Sequence, residues 1–476
     1  MLAQLKRLAR HSAVYGIGGI VSRVVAVFLL PVYTRYLDPA DLGAVGVLIA
    51  LTAVLVTVLR GGISSAFFRF WFDSKEPEAR RVVLRTSFWF TMTSATLGLA
   101  AGVLLAEPIA GALALGDDGP ALVIAAFVGL WAQMNYEQLT ALFRVEERSG
   151  AFLAASLANI AITVGATVLL VVVLELGALG VIAGNFTGTL AVYLALAGYR
   201  REQLGLEFDR ALFRRMQRFG MPLVPSALAL IAVNFSDRFF LAHLADLTEV
   251  GLYEIGVRIA SAMVLLLTAF RTAWPAFAYS IEDEDEARRT YAYVLTYLVA
   301  LASWVALALG LLAPWLVRLL TTPEFHAGER VVGPLAFASA VFAGYVVVAI
   351  GVGRARRTQF NWAITGAAAV LNVALNLLLI PPYGMMGAAV ATIAAYALLF
   401  LAMAWWANRV FPMPYQVRRV ATALGAGVAL LAVGRLLDVP LWGALALAAA
   451  YPLVLLALGF AEPGERAALR RRLRLA

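Results

Sequence analysis

Asn234–Arg258 reads NFSDRFFLAHLADLTEVGLYEIGVR, and within it Asp237, Arg238, Glu254 and Arg258 interrupt what is otherwise membrane-spanning sequence. Ionisable groups are costly at bilayer depth and face a cavity or a partner when they occur there, so this stretch points to a polar pathway through a hydrophobic protein. The whole chain fits that setting. Of its 476 residues 62% are hydrophobic and 14% charged, which excludes an ordinary soluble domain. Apolar segments of roughly 18 to 25 residues recur along it, and their polar breaks follow helical spacing rather than the alternation of a β-barrel. The sequence therefore predicts an all-α integral membrane protein. With no cysteine and three histidines, neither a disulfide framework nor a metal site is expected. The net charge of +9 is read as loops facing anionic lipid, with no nucleic-acid partner.

Working outward, a first half is expected to hold spans near Ser12–Tyr36, Leu42–Leu59, Val83–Leu105, Pro120–Gln138, Ala151–Val173 and Gly177–Tyr199. A second series follows near Met221–Leu244, Val250–Trp274, Tyr291–Val317, Val331–Val352, Asn361–Ile380 and Met385–Ala404. Two more, near Val420–Leu436 and Leu441–Phe460, bring the expectation to about 14 transmembrane helices. The domains expected are a six-helix lobe over 1–199, a linker over 200–220, a second six-helix lobe over 221–408, and two extra helices with a basic tail over 409–476. In the linker Leu212, Phe213, Met216 and Phe219 follow helical spacing among arginines, which predicts an amphipathic helix on the inner membrane surface. Leu2, Leu5 and Leu8 with Lys6, Arg7 and Arg10 make a basic amphipathic start; Arg23, in the middle of the first apolar run, argues against a cleaved signal peptide.

On this arrangement 31 of the 38 Lys and Arg fall on the side of both termini, 5 on the other, with Arg23 and Arg258 in mid-span. The positive-inside rule then puts both termini in the cytoplasm. The halves also repeat: Asp41-Leu-Gly43 returns as Glu249-Val-Gly251, and Gly177-Ala-Leu-Gly180 as Gly384-Met-Met-Gly387, each about 208 residues later. An even number of spans separates the equivalents, so the repeat is parallel, a recurrent transporter plan.

At 1.5 Å per residue Arg23 lies about 15 Å into the first span and Arg258 about 14 Å into the eighth, both near the bilayer midplane. Arg23 has no carboxylate within helical reach on its own segment, and a guanidinium there suits a ligand that brings phosphate oxygens. Arg23 and Arg258 are therefore the candidate substrate-binding residues. Asp237, Arg238 and Glu254 lie nearer the outer face as a candidate gating network; the competing reading is that they only pin two helices together. Glu254 and Arg258, at i and i+4, can also neutralise each other. Asn234, Asn372, Asn376 and Glu137 are candidate cavity-lining groups, or simple interhelical bonds. No phosphate-cradling glycine loop, HExxH or GxSxG occurs, and no enzyme is expected.

Tyr15-Gly-Ile-Gly18 leading through Arg23 to Leu30-Pro31-Val-Tyr-Thr-Arg-Tyr-Leu37, then Asp41-Leu-Gly43 and Gly62-Ile-Ser-Ser-Ala66, resembles the opening of the polysaccharide biosynthesis, or oligosaccharide (Wzx-type), flippases. Asn234-Phe-Ser-Asp-Arg238-Phe-Phe-Leu241 followed by Val250-Gly-Leu-Tyr253 resembles the start of that family's second half. The resemblance implies a V-shaped bundle of two parallel six-helix lobes of the multidrug/oligosaccharidyl-lipid/polysaccharide exporter superfamily, working by alternating access. Its implied cargo is an undecaprenyl-diphosphate-linked oligosaccharide, carried to the outer leaflet for cell-surface polysaccharide such as lipopolysaccharide or exopolysaccharide. The implied partners are membrane lipid and the polymerase and glycosyltransferases of the pathway. The implied place is a bacterial or archaeal plasma (inner) membrane. No cofactor is implied, and a coupling proton or sodium ion is left open. Ser22-Arg23-Val24 is similar to the first-helix motif of the lipid II flippases, but their following Arg-Asp pair would fall on Leu29 and Leu30. Multidrug extruders share the lobed plan with acidic cation sites in the first lobe, where this chain has only Glu137, near a span end. From another class, a membrane polysaccharide polymerase or ligase would need an acceptor-binding outer loop, and the loops here are short.

Overall fold

A computed structural model of the protein describes residues 21, 24–73, 76–462 and 465; Arg23, the N-terminal amphipathic start and most of the tail lie outside them. No strand occurs among the described residues. In chain order the helices are α1 (Leu30–Tyr36), α2 (Pro39–Arg60), α3 (Ile63–Trp71), α4 (Pro77–Leu104), α5 (Ala106–Ala112) and α6 (Gly119–Val145). Next come α7 (Ser149–Val168), α8 (Gly177–Tyr199), α9 (Arg210–Gly220), α10 (Val224–Leu244), α11 (Leu247–Ala260) and α12 (Ala262–Ser280). The series closes with α13 (Glu284–Leu320), α14 (Glu329–Arg354), α15 (Asn361–Val410), α16 (Val417–Leu436) and α17 (Leu441–Ala457).

Ten helices among the described residues are long and apolar enough to cross a membrane, fewer than the 14 expected. The difference has local causes. α6 is 27 residues long but carries Gln133, Asn135, Glu137 and Gln138 toward one end, and α17 has only 17 residues. α15 runs through two expected spans but turns at Gly384, whose φ of 52° is open to glycine at little cost. Of the first expected span, residues 12–20, 22 and 23 lie outside the described residues, and the described part, Val24–Tyr36, is too short to count.

The chain groups into two units, 1–254 with 320–325 and 373–388, and 255–319 with 326–372 and 389–476. In the first, α2 shows how these helices are delimited. Asp38 caps its start by accepting the Asp41 N–H at 2.7 Å, Pro39 supplies the first turn, and Gly61 ends it in the left-handed region at φ 49°.

The internal repeat is visible as matched contacts within this unit. The Asp41 carboxylate sits against Gly177 at the start of α8, with the Ala178 backbone N–H as partner. About 208 residues on, Glu249 accepts the Met385 N–H at 2.8 Å beside Gly384. Gly177 and Gly384 both have positive φ, 53° and 52°. Each carboxylate thus satisfies an orphan donor where a helix restarts. Glu249→Ala is expected to cost about 1 kcal/mol and to lower the melting temperature of the detergent-solubilised protein, with Glu249→Gln in between; unchanged melting of the alanine variant would contradict a capping role.

The two equivalent helix starts also meet each other. A Cβ on Gly43 would lie 1.9 Å from the Leu247 carbonyl oxygen, and one on Gly251 would lie 1.8 Å from that of Pro39. The contact is reciprocal, as a two-fold relation between repeats requires. Backbone approaches this close admit only glycine.

Two expectations need correction. The linker helix α9 does not lay its apolar face on lipid alone: Leu212 and Met216 are buried in a cluster with Ile63, Phe67 and Trp71 of α3, Leu84 of α4 and Leu142 of α6. Gly62 and Gly220 bring their backbones together there, and Arg85 holds Glu207 at 2.8 Å just before the helix. A helical apolar stripe reads alike whether protein or lipid covers it. The eighth span, expected to be continuous over Val250–Trp274, is broken between α11 and α12. At the break the Ser261 hydroxyl donates to the Arg258 carbonyl at 2.6 Å, a side-chain bond that competes with the helical ladder.

In the second unit α13, α14 and α16 pack on small residues. Gly310 and Gly333 come within van der Waals reach of each other and of Leu431. Arg435, near the end of α16, donates to the Gly310 carbonyl at 2.9 Å.

Candidate functional site

The residues that first marked the sequence meet where α10 lies against the start of α11. Asp237, Arg238 and Glu254 are 2%, 5% and 8% exposed, and Tyr253 is fully buried. Arg238 is the hub. Its Nε donates to Glu254 Oε1 at 2.8 Å, and its Nη1 donates to Asp237 Oδ1 and to the Asn234 carbonyl, both at 2.7 Å. The Tyr253 hydroxyl donates to Asp237 Oδ2 through a short bond. The guanidinium also lies 5.3 Å from the rings of Phe235 and of Tyr253.

The helical origin of this arrangement is simple. Asp237 and Arg238 are neighbours near the end of α10, while Tyr253 and Glu254 are neighbours one to two turns into α11. The short turn between these helices brings the two pairs side by side. α2 passes close enough that a Cβ on Gly46 would lie 2.8 Å from Glu254 Cγ. Gly46 stands about 208 residues before Glu254, so the repeat puts a glycine where its counterpart carries the carboxylate.

Two buried carboxylates share the Arg238 guanidinium here. Such a cluster is stable only while every member keeps its partners. It can hold two helices rigidly, or let go of them together if one partner is exchanged for a ligand.

Glu137 forms a second, separate centre. It accepts from Arg60 Nη1 at 2.7 Å and from Gln133 Nε2 at 2.9 Å, and Arg60 also reaches the Met134 carbonyl at 3.3 Å. Arg60 closes α2, so this pair ties the end of α2 to α6.

A polysaccharide biosynthesis protein family model matches residues 32–328, more than half of the chain and including both centres. The chain belongs to that family. A curated relative of this family member, an uncharacterized membrane protein of Methanocaldococcus jannaschii, is 22% identical over 230 residues, 46% of this chain and 44% of that protein. The match thus spans under half the length of that relative. Among solved structures, the lipid II flippase MurJ in an inward closed conformation aligns at a TM-score of 0.76 and 13% identity, covering 94% of this chain and 97% of that one. An inward-facing multidrug resistance MATE family transporter of the MOP superfamily aligns at 0.63 and 15% identity, covering 82% and 97%. A MOP superfamily transporter from Pyrococcus furiosus aligns at 0.57 and 15% identity, covering 87% and 96%. These likenesses are of fold: the polysaccharide biosynthesis family member has the all-helical architecture of MOP superfamily membrane transporters.

For this family member the sequence-derived site divides. Asp237, Arg238 and Glu254 come together in one hydrogen-bonded network. Glu254, which the i,i+4 spacing sets one turn from Arg258, forms an ion pair with Arg238 on the preceding helix. Arg258 is half-buried, three residues before the break at Ser261. Asn234 is exposed but contributes its carbonyl to the network, and Asn372 and Asn376 are fully buried. Arg23 lies outside the described residues. Tyr253, Gly46 and Arg60 are members that sequence reasoning missed; the repeat offset from Glu254 would have drawn attention to Gly46.

Proposed function

We propose that the protein is a flippase that carries an undecaprenyl-diphosphate-linked oligosaccharide from the cytoplasmic to the outer leaflet by alternating access. The observation that carries this reading is the family match over 32–328, on a chain with a membrane-transporter fold. The 31-to-5 division of basic residues supports cytoplasmic termini in a plasma membrane, and the repeat supports two lobes over 1–199 and 221–408 joined by the linker 200–220.

With that orientation the Gly43–Leu247 and Gly251–Pro39 crossing lies at the outer face, and the Asp237–Arg238–Glu254–Tyr253 network lies just beneath it. This reading makes the network an outer gate that holds while the site faces inward and opens by partner exchange. The Arg60–Glu137 pair, at the opposite ends of α2 and α6, is the corresponding inner tie.

Arg23 and Arg258 are assigned to the diphosphate. Arg23→Ala and Arg258→Ala, expressed at the normal level, are each expected to lower glycan export roughly tenfold or more, the loss of a charge-assisted phosphate contact. If both variants export normally, this assignment is wrong. Lipid II is the second cargo to consider, because the fold is shared with the lipid II flippase. Accumulation in a deletion strain of a lipid-linked oligosaccharide, rather than of lipid II, decides between them.

A further inference from the structure

Within the second unit, an open cavity of about 430 Å³ lies among the start of α13, the end of α14 and the end of α15. Its charged lining is Arg288, Arg354, Arg357, Arg409 and Glu284, four guanidiniums against one carboxylate. From this cavity we propose a binding site for the phosphate headgroup of a membrane lipid, separate from the ion network around Arg238.

The cations divide by how far the protein already uses them. Arg354 is spent on structure: its two Nη groups donate to the carbonyls of Ala278, Ile281 and Glu282 and to the Tyr291 hydroxyl, at 2.7 to 3.3 Å. Arg288 is held by Glu284 and Asp285 at 3.2 Å each, yet its buried Nε has no hydrogen-bond acceptor among the described residues. Arg357 and Arg409 are exposed, and neither makes an ion pair among the described residues. Arg409 is nonetheless placed, stacked 4.2 Å over the Trp405 ring. Two uncommitted guanidiniums at an exposed rim offer what a phosphate monoester or diester needs and a neutral ligand does not.

The rim is built rather than loose. α14 ends with Arg356 at φ 54°, a left-handed turn that is unfavourable for a side chain with a Cβ. The Arg357 N–H closes that turn onto the Val352 carbonyl at 3.1 Å, and the Arg357 carbonyl accepts the Trp406 indole N–H at 3.0 Å. Trp406 in turn packs against Phe360, with ring centres 4.6 Å apart. Trp362 and Trp405 stand exposed nearby on an otherwise apolar helix, as aromatic side chains do at a membrane–water boundary. The cavity therefore opens at headgroup level, which favours a lipid over a soluble anion.

Two lipids carry this chemistry, an anionic phospholipid and a polyprenyl diphosphate; only the second case rests on the flippase reading. The test is native mass spectrometry of the full chain in detergent, with phosphatidylglycerol, undecaprenyl diphosphate, phosphatidylcholine and inorganic phosphate as separate probes. The double variant Arg357→Gln/Arg409→Gln changes only exposed side chains. Retention of phosphatidylglycerol or undecaprenyl diphosphate over phosphatidylcholine, weakened on the order of tenfold in the double variant, is expected. Preference for the first probe identifies a structural phospholipid site, and preference for the second a loading site for the carrier. Equal retention of phosphatidylcholine, unchanged binding in the variant, or inorganic phosphate binding as tightly as the lipids would overturn the proposal, whatever the outcome of a transport assay.

Discussion

Arg238→Ala is expected to abolish transport and to destabilise the protein by about 3–5 kcal/mol, because it strands Asp237 and Glu254 as buried carboxylates without their cation. The size of the effect follows from the geometry. One guanidinium is the cation for both buried carboxylates at once, so a single truncation takes it from both and leaves Asp237 only the Tyr253 hydroxyl and a backbone N–H. Stability and transport can then be separated. In the triple variant Asp237→Asn/Arg238→Met/Glu254→Gln no charge remains to be stranded, and most of the lost stability should return. Transport should not return, since a neutral cluster has no ion pairs to exchange. Thermal unfolding in detergent measures the first quantity and cell-surface glycan the second. A triple variant that transports normally would reduce the network to a helix clamp.

The second large effect is expected at the helix crossing. Gly43→Val places branched carbon where the Leu247 carbonyl already lies within 1.9 Å of the Cβ position, and Gly251→Val does the same at Pro39. Neither obstacle is a flexible side-chain end; both are backbone. The helices must separate, so the state in which α2 and α11 touch is lost to either substitution. In the proposed orientation a cysteine placed at the exposed Thr248 should then become labelled by a membrane-impermeant thiol reagent at least several-fold faster than in the otherwise unchanged chain. Equal labelling in both would show that the crossing does not govern outer access. Gly46→Leu should act in the same direction through Glu254 Cγ, but less strongly, because a carboxylate side chain can move aside.

The ion network was legible because charges in an apolar run are conspicuous at any register. Its partners were not. Tyr253 reads as one more apolar-span aromatic until Asp237 is found beside its hydroxyl, and Arg60 reads as a boundary residue until α6 brings Glu137 to it. Pairing across helices depends on packing that no single segment encodes, so the Arg238–Glu254 pair between α10 and α11 was not legible from spacing within either helix. The repeat was the more informative signal. Glycine and carboxylate recurring at one offset are the residues that cap α8 at Gly177, turn α15 at Gly384 and bring α2 onto α11. Breaks and docking were hidden for a different reason. Ser261 is as common inside a span as at a break, and the apolar face of α9 fits lipid as well as it fits α3.

The most direct test is reconstitution of the purified protein into vesicles that carry a fluorescent undecaprenyl-diphosphate-linked oligosaccharide, with glycan crossing followed by an impermeant quencher or glycosidase. Protein-dependent crossing that is lost in Arg238→Ala and absent for a soluble organic cation is the predicted result. Transport of the cation with no movement of the lipid-linked glycan would contradict the account.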